Sequence, residues 1–192
     1  MGDGSFQPQA RFAVGEEPSS IALGDLNGDS RLDIIAANRQ SDDVSVLLGV
    51  GDGSFQPQVR FAVGDEPSAV ALGDLNGDSR LDIVTTNYDS GDVSVLLGMG
   101  NGDFQAQIRF PVRSSLTTVA LGDIDGDEDL DIVAGNQNSD NISVLLGTGD
   151  GGVKGQARFP VWWYSLSVAV GDVDGNGYPD IVSSNGECVS LL

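Results

Sequence analysis

The sequence predicts an all-β protein made of four repeated, four-stranded antiparallel sheets. A Gly-Asp-x-(Asn/Asp)-Gly motif recurs with its first glycine at Gly24, Gly73, Gly122 and Gly171, a constant spacing of 49 residues. Each copy carries four short runs rich in β-branched residues between glycine turns, and no window keeps a helical period. This period and strand count are typical of β-propeller blades, with a solenoid as the less favoured alternative.

The repeats divide one predicted domain, residues 1–192, at about 2–50, 51–99, 100–148 and 149–192. The first two agree at 38 of 49 positions, whereas the fourth is the most divergent and is short at its end. Each repeat opens with the strand type that closes a sheet. We therefore expect Phe6–Val14 to form a strand that completes the sheet of the last repeat, whose third strand is residues 189–192. Such an exchange removes an exposed sheet edge.

The second repeat shows why each run reads as a strand. FQPQVRFAV (55–63) leads to VALGDL (70–75), in which Val70 and Leu72 alternate with Ala71. LDIVTTN (81–87) is rich in β-branched residues, and DVSVLLG (92–98) again alternates apolar and small residues. Glycine turns such as GVGDGS bound these runs, as expected for hairpins.

Aromatic and basic residues also recur in register. We expect the phenylalanines to pack in the core or between sheets, and the arginines to pair with carboxylates of a neighbouring strand. The phenylalanines are Phe6, Phe12, Phe55, Phe61, Phe104, Phe110 and Phe159, and the arginines are Arg11, Arg60, Arg109 and Arg158. Cys188, the one cysteine, stands at an aliphatic position and is expected to be small and buried.

Charge excludes several classes of function. The chain has 29 acidic and 9 basic residues and a net charge of −20, so we expect no nucleic-acid partner. No apolar run approaches the ~18 residues that cross a membrane, so we expect no membrane insertion. The start, MGDGSFQPQ, lacks the basic and apolar leader of a signal peptide. With no histidine and a single lysine, Lys154, the chain is predicted not to be an enzyme.

The acidic loop of each repeat is the candidate binding site. Numbered from its first aspartate, oxygen-bearing side chains occupy positions 1, 3, 5 and 9, glycine occupies position 4, and position 7 offers a backbone carbonyl. The candidate metal ligands are Asp25, Asn27, Asp29, Arg31 and Asp33 in the first loop, Asp74, Asn76, Asp78, Arg80 and Asp82 in the second, Asp123, Asp125, Asp127, Asp129 and Asp131 in the third, and Asp172, Asp174, Asn176, Tyr178 and Asp180 in the fourth.

Oxygen ligands without histidine or cysteine indicate a hard cation, and calcium accepts 6–8 oxygens in flexible geometry. We expect about four calcium ions per chain, held as a structural part of the fold. Ordinary Asp/Asn/Gly turns are the alternative, which four regular copies disfavour. An EF-hand would need a helix after the loop, whereas LDIV and its equivalents predict a strand.

GDLNGDSRLDIV, followed by a β-hairpin and a GDGSFQPQ turn, resembles the FG-GAP/VCBS repeat, and the resemblance covers the whole chain. It implies a calcium-binding β-propeller of seven or eight blades, as in integrin α-subunits, bacterial surface proteins and some lectins. It also implies an extracellular or cell-surface location and a protein or glycan ligand.

This chain has only four repeats, which leaves three assemblies: a four-bladed ring, a homodimer of eight blades, or a fragment of a longer propeller. We favour the dimer. The predicted function is a binding or adhesion module with structural calcium. Its alternatives are a purely structural, duplicated or engineered fragment, and a lectin-type propeller in which Trp162, Trp163 and Tyr164 stack on sugars. We favour packing for these three aromatics.

Overall fold

The computed structural model describes Phe6 and residues 8–113, 115–161 and 165–192, which form four antiparallel sheets. Sheet 1 contains β1 (Pro18–Gly24), β2 (Asp33–Asn38), β3 (Asp43–Leu47) and β4 (Val59–Ala62). Sheet 2 contains β5 (Pro67–Gly73), β6 (Asp82–Asn87), β7 (Asp92–Leu96) and β8 (Ile108–Pro111). Sheet 3 contains β9 (Leu116–Gly122), β10 (Asp131–Asn136), β11 (Asn141–Gly147) and β12 (Val153–Pro160). Sheet 4 contains β13 (Ser167–Gly171), β14 (Asp180–Ser184) and β15 (Val189–Leu191).

Each sheet is an up-and-down meander in which neighbouring strands follow one another in the chain. The first strands of the sheets, β1, β5, β9 and β13, contact each other in succession. Four meanders joined along their first strands are the arrangement of blades in a propeller. A short 3-10 helix, Gln137–Ser139, separates β10 from β11. No helix in the described residues is long and apolar enough to span a membrane.

The hydrophobic cores lie between adjacent sheets, because the middle strands are covered on both faces. Strands β3, β6, β7 and β10 are buried at every residue. One core joins sheets 1 and 2 through residues such as Val46, Ile83 and Leu96, and equivalent cores join sheets 2 and 3 and sheets 3 and 4. Each sheet therefore depends on its neighbour for burial.

The recurring phenylalanines and arginines pack largely as predicted. Phe61 and Phe104, from sheets 1 and 2, meet edge to face with ring centroids 5.2 Å apart, which confirms packing between sheets. Arg60 pairs with Asp43 on the adjacent strand, and Arg109 Nε donates to Asp92 Oδ2 at 2.7 Å. In sheet 3 the residue equivalent to Asp43 and Asp92 is Asn141, which has no charge, and the Arg158 guanidinium donates to the Val112 carbonyl instead.

The expected strand Phe6–Val14 is wrong for the described residues, Phe6 and 8–14, which form no strand. Strand β15 is hydrogen-bonded to β14 alone in the described part of the chain, so sheet 4 has three strands there. The segment instead lies against sheet 1, where Phe12 meets Phe55 at 4.9 Å. An extended segment without a neighbouring sheet edge has no ladder to join, and Phe6 is 96% exposed rather than packed.

Cys188 is exposed, so the prediction that it is buried is wrong. It lies just before β15, at the position that Asp43 and Asp92 occupy in sheets 1 and 2. Asn185 Nδ2 contacts its sulfur at 3.3 Å, as Asn38 Nδ2 contacts Asp43 Oδ1 at 2.7 Å. The turn before β15 is two residues shorter than in the other sheets, which leaves this position open to solvent. Trp162, Trp163 and Tyr164 lie outside the described residues.

Candidate metal centre

The four acidic loops connect the first and second strands of each sheet, so they lie at one end of the fold. A strand follows every loop, which is incompatible with an EF-hand. The glycine at position 4 adopts a left-handed backbone, with φ between 70° and 78° at Gly28, Gly77, Gly126 and Gly175. A side chain is strained at such φ values, which accounts for glycine at this position.

The aspartate at position 1 holds the loop closed. Asp25 Oδ1 accepts the N–H groups of Gly28 and Asp29 at 2.8 and 3.1 Å, and its Oδ2 accepts Ser30 N–H at 2.7 Å. Asp172 repeats all three bonds with the equivalent residues of the fourth loop. The position-1 carboxylate is therefore turned into the loop, where it accepts backbone N–H groups.

The aspartate at position 9 joins the loop to its own sheet. Asp82 is fully buried; its Oδ2 accepts Leu75 N–H at 2.8 Å and its Oδ1 accepts Gly98 N–H at 2.7 Å. Asp33 and Asp131 are buried in the same way, with the same pair of bonds. Asp180 is half-buried and, among the described residues, accepts the N–H of Val173 alone.

Three carboxylates converge in each of the third and fourth loops, in which position 3 is an aspartate. One oxygen from each of Asp123, Asp125 and Asp131 lies within 4.8 Å of the others. Asp172, Asp174 and Asp180 form the same arrangement. Burial raises the pKa of Asp131, and the charges of Asp125 and Asp127 raise it further against the lowering effect of its two N–H bonds. Unbalanced negative charge of this kind is what a bound cation relieves.

The aspartate at position 5 is paired with a basic side chain in three loops. The Arg31 guanidinium binds Asp29, and the Arg80 guanidinium binds Asp78. Lys154, which is distant in sequence, binds Asp127 and lies 3.2 Å from Asp125. Hydrogen bonding to the Lys154 ammonium lowers the pKa of Asp127. In the fourth loop, Asn176 is uncharged and has no basic partner among the described residues.

Positions 3 and 7 complete the loop. Asn27 Oδ1 accepts Asp29 N–H at 3.1 Å, and the N–H groups of Arg31 and Tyr178 donate to the side chain at position 5 of their loops. The structure thus brings together positions 1, 3 and 9 in the third and fourth loops, and it pairs position 5 with a basic side chain in the first three loops. Oxygen donors without nitrogen or sulfur fit a hard ion such as calcium, most directly in the fourth loop.

The family model of the FG-GAP-like repeat matches residues 25–85, 74–134 and 123–183, three overlapping segments that each start at a loop aspartate. The chain belongs to the FG-GAP-like repeat family. The assignment to the FG-GAP repeat made from the sequence is thereby confirmed. No curated protein matches the chain.

Solved structures show which fold these FG-GAP-like repeats adopt. BBS1N, crystallised in complex with ARL6DN, aligns over 98% of this chain with a TM-score of 0.62 at 15% identity. The match takes in 57% of the BBS1N chain, so this chain spans about half the length of that structure. The V. cholerae biofilm matrix protein Bap1 aligns over 88% of this chain and 28% of its own, with a TM-score of 0.51 at 23% identity. The predicted all-β propeller fold is confirmed.

Sequence reasoning missed the basic side chains of the FG-GAP-like loops. Arg31 and Arg80 are candidates through their carbonyls, yet each guanidinium lies on the aspartate two residues earlier. That two-residue spacing is a signal the sequence contains. No local signal connects Lys154 with Asp127, because β12 brings the lysine to the loop only when sheet 3 forms.

Proposed function

We propose that the protein is a binding module in which structural calcium stiffens the loop end of a propeller, and that it performs no catalysis. The observation that carries this proposal is the carboxylate group Asp172, Asp174 and Asp180, whose oxygens lie within 4.8 Å of one another. These side chains, with Asn176, would hold one ion, and the other three loops would hold equivalent ions. The proposed location is extracellular or at the cell surface.

Each ion supplies stability because it binds the folded loop and not the unfolded chain. At a calcium concentration a hundred times the dissociation constant, one site stabilises the fold by about 2.7 kcal/mol. We expect the melting temperature in 5 mM calcium to exceed that in excess chelator by several degrees for every site filled. Equal melting temperatures in the two buffers would contradict the proposal.

The fourth loop gives the sharpest test of where calcium binds. Asp174→Ala removes a ligand oxygen from the converging carboxylates, and we expect it to reduce the calcium stoichiometry in calorimetric titration by one. Asp89→Ala is the matched control, because Asp89 is exposed and lies outside every loop. Unchanged stoichiometry in Asp174→Ala would assign the calcium to other groups.

A protein is the ligand we propose for the module. The BBS1N propeller, similar in fold, is crystallised in complex with another protein, ARL6DN, which supports this class of ligand. A glycan array probed in 5 mM calcium distinguishes the classes. Binding to defined glycans would favour the lectin alternative and contradict a protein ligand.

A further inference from the structure

A cavity of about 420 Å³ opens between sheets 3 and 4 on the side of the outer strands. Its walls are mainly apolar and include Ile124, Val144, Leu146, Phe159, Ile181 and Leu192. Phe159 is 39% exposed and Leu192 is 46% exposed, so the structure leaves apolar groups facing solvent here. Such a patch marks a place where another segment packs.

The equivalent place between sheets 1 and 2 is filled. Counting back two repeat spacings and following the strand register, the positions equivalent to the cavity walls are Leu26, Val46, Leu48, Phe61, Ile83 and Leu96. All six belong to one core or pack against it, together with Phe104. Phe104 is 8% exposed and lies edge to face on Phe61. The cavity between sheets 3 and 4 therefore has the walls of a phenylalanine site without the phenylalanine.

The chain contains one more phenylalanine of the required type. Phe6 precedes Phe55 and Phe104 by one and two repeat spacings, and it is 96% exposed. Residues 2–15 are identical to residues 51–64 at 13 of 14 positions. The later copy supplies β4, the strand that closes sheet 1. The stretch that begins the chain thus has both the side chain for the cavity and the sequence of a closing strand.

Strand β15 offers the edge that such a strand needs. In sheet 1, β3 and β4 pair Asp43 with Ala62 and Val44 with Phe61. The register of β14 and β15 makes Cys188 equivalent to Asp43 and Val189 equivalent to Val44. A closing strand from the start of the chain would therefore place Ala13 opposite Cys188, Phe12 opposite Val189 and Ala10 opposite Leu191.

The segment is held against sheet 1 of its own chain, and sheet 4 of the same chain does not come to meet it. In the described residues the first strands contact one another in the order β1, β5, β9 and β13, and no extensive contact joins β13 to β1. Phe12 packs on Phe55 as Phe61 packs on Phe104, and Gly15 N–H donates to Ser45 Oγ as Gly64 N–H donates to Ser94 Oγ. In the described residues the segment makes no ladder with β15. It therefore lies where the last strand of a preceding sheet would lie.

We propose that this preceding sheet is sheet 4 of a second copy of the chain. Phe6 of each copy fills the cavity of the other, and residues 8–13 add the fourth strand to the other copy's β15. The contact is isologous, so it closes with two copies and eight sheets. It also covers both exposed edges.

Solution mass tests the proposal directly. In calcium buffer at about 10 μM, we expect twice the chain mass of 19.9 kDa. Phe6→Ala removes a side chain that is exposed in the single chain, so the variant should still fold. The dissociation constant of its dimer should rise at least about 100-fold. Met99→Ala is the control, since Met99 is exposed at a turn of the same type within sheet 2. A wild-type mass equal to that of one chain, or a Phe6→Ala dimer as tight as wild type, would overturn the proposal.

A disulfide tests the register and the identity of the partner. Ala13→Cys lies opposite the native Cys188 in the proposed pairing, at a non-hydrogen-bonded position whose spacing suits a disulfide. We expect oxidation to give one band at the mass of two chains on non-reducing gels. Ala10→Cys is the control, because it lies three residues, about 10 Å, farther along the strand and should not cross-link. An internal disulfide in a single chain, a ladder of larger species, or equal cross-linking of both variants would overturn the proposal.

Discussion

The junction between sheets 1 and 2 and the junction between sheets 3 and 4 use the same positions of the repeat but reach different degrees of burial. Phe104 is buried in the first, whereas Phe159 and Leu192 face solvent in the second. The position-9 aspartates of the acidic loops show the same difference in burial. Asp82 in sheet 2 is fully buried with two N–H partners, and Asp180 in sheet 4 is half-buried with one N–H partner in the described residues. The closing turn and strand of a sheet therefore bury both the neighbouring core and the sheet's own position-9 aspartate.

The largest expected loss of stability comes from opening the core between sheets 1 and 2. Phe104→Ala should lower the free energy of unfolding by about 3–5 kcal/mol, because it leaves a cavity in the core between sheets 1 and 2. Phe6→Ala, measured at a concentration where the chain is monomeric, should change it by less than about 0.5 kcal/mol. Urea unfolding of both variants measures this difference, and similar losses would show that the two junctions are equivalent.

A smaller effect separates the two position-9 aspartates. In excess chelator, Asp82→Ala should cost about 2–4 kcal/mol because the N–H groups of Leu75 and Gly98 lose their acceptors. Asp180→Ala should cost about 1 kcal/mol, since it removes the acceptor of Val173 alone among the described residues. Thermal unfolding of both variants provides the comparison. Equal costs would mean that burial by the closing turn does not matter.

The smallest effect concerns the basic side chain at position 7, which the second loop has and the fourth loop lacks. Arg80→Gln removes the guanidinium from Asp78 and should tighten calcium binding in that loop roughly five-fold. A guanidinium near a divalent ion opposes the binding of that ion, and about 1 kcal/mol of such repulsion corresponds to a roughly five-fold change in the dissociation constant. Arg60→Gln is the control, because Arg60 pairs with Asp43 outside the loops. Weaker calcium binding by Arg80→Gln in the same titration would mean that the guanidinium supports calcium binding.

The sequence predicts what depends on residues that lie close together in the chain. The loop positions, the strands on either side and the pair between Arg60 and Asp43 follow from local pattern. What fails depends on distant partners: Phe6–Val14 needs a sheet edge, and Lys154 reaches Asp127 only through the folded sheet 3. Cys188 is exposed because the turn before β15 is two residues shorter than in the other sheets, so fewer residues cover its side chain.

The constant spacing of the repeats has an evolutionary consequence. Each junction uses the closing turn of one sheet and the acidic loop of the sheet before it, so Gly102 N–H donates to the Leu26 carbonyl as Gly151 N–H donates to the Leu75 carbonyl. Loss or duplication of any stretch one repeat long between the first and third sheets brings the same repeat positions together again. Unequal recombination between the nearly identical first two repeats can thus change the number of sheets one at a time, with equivalent positions meeting at every junction.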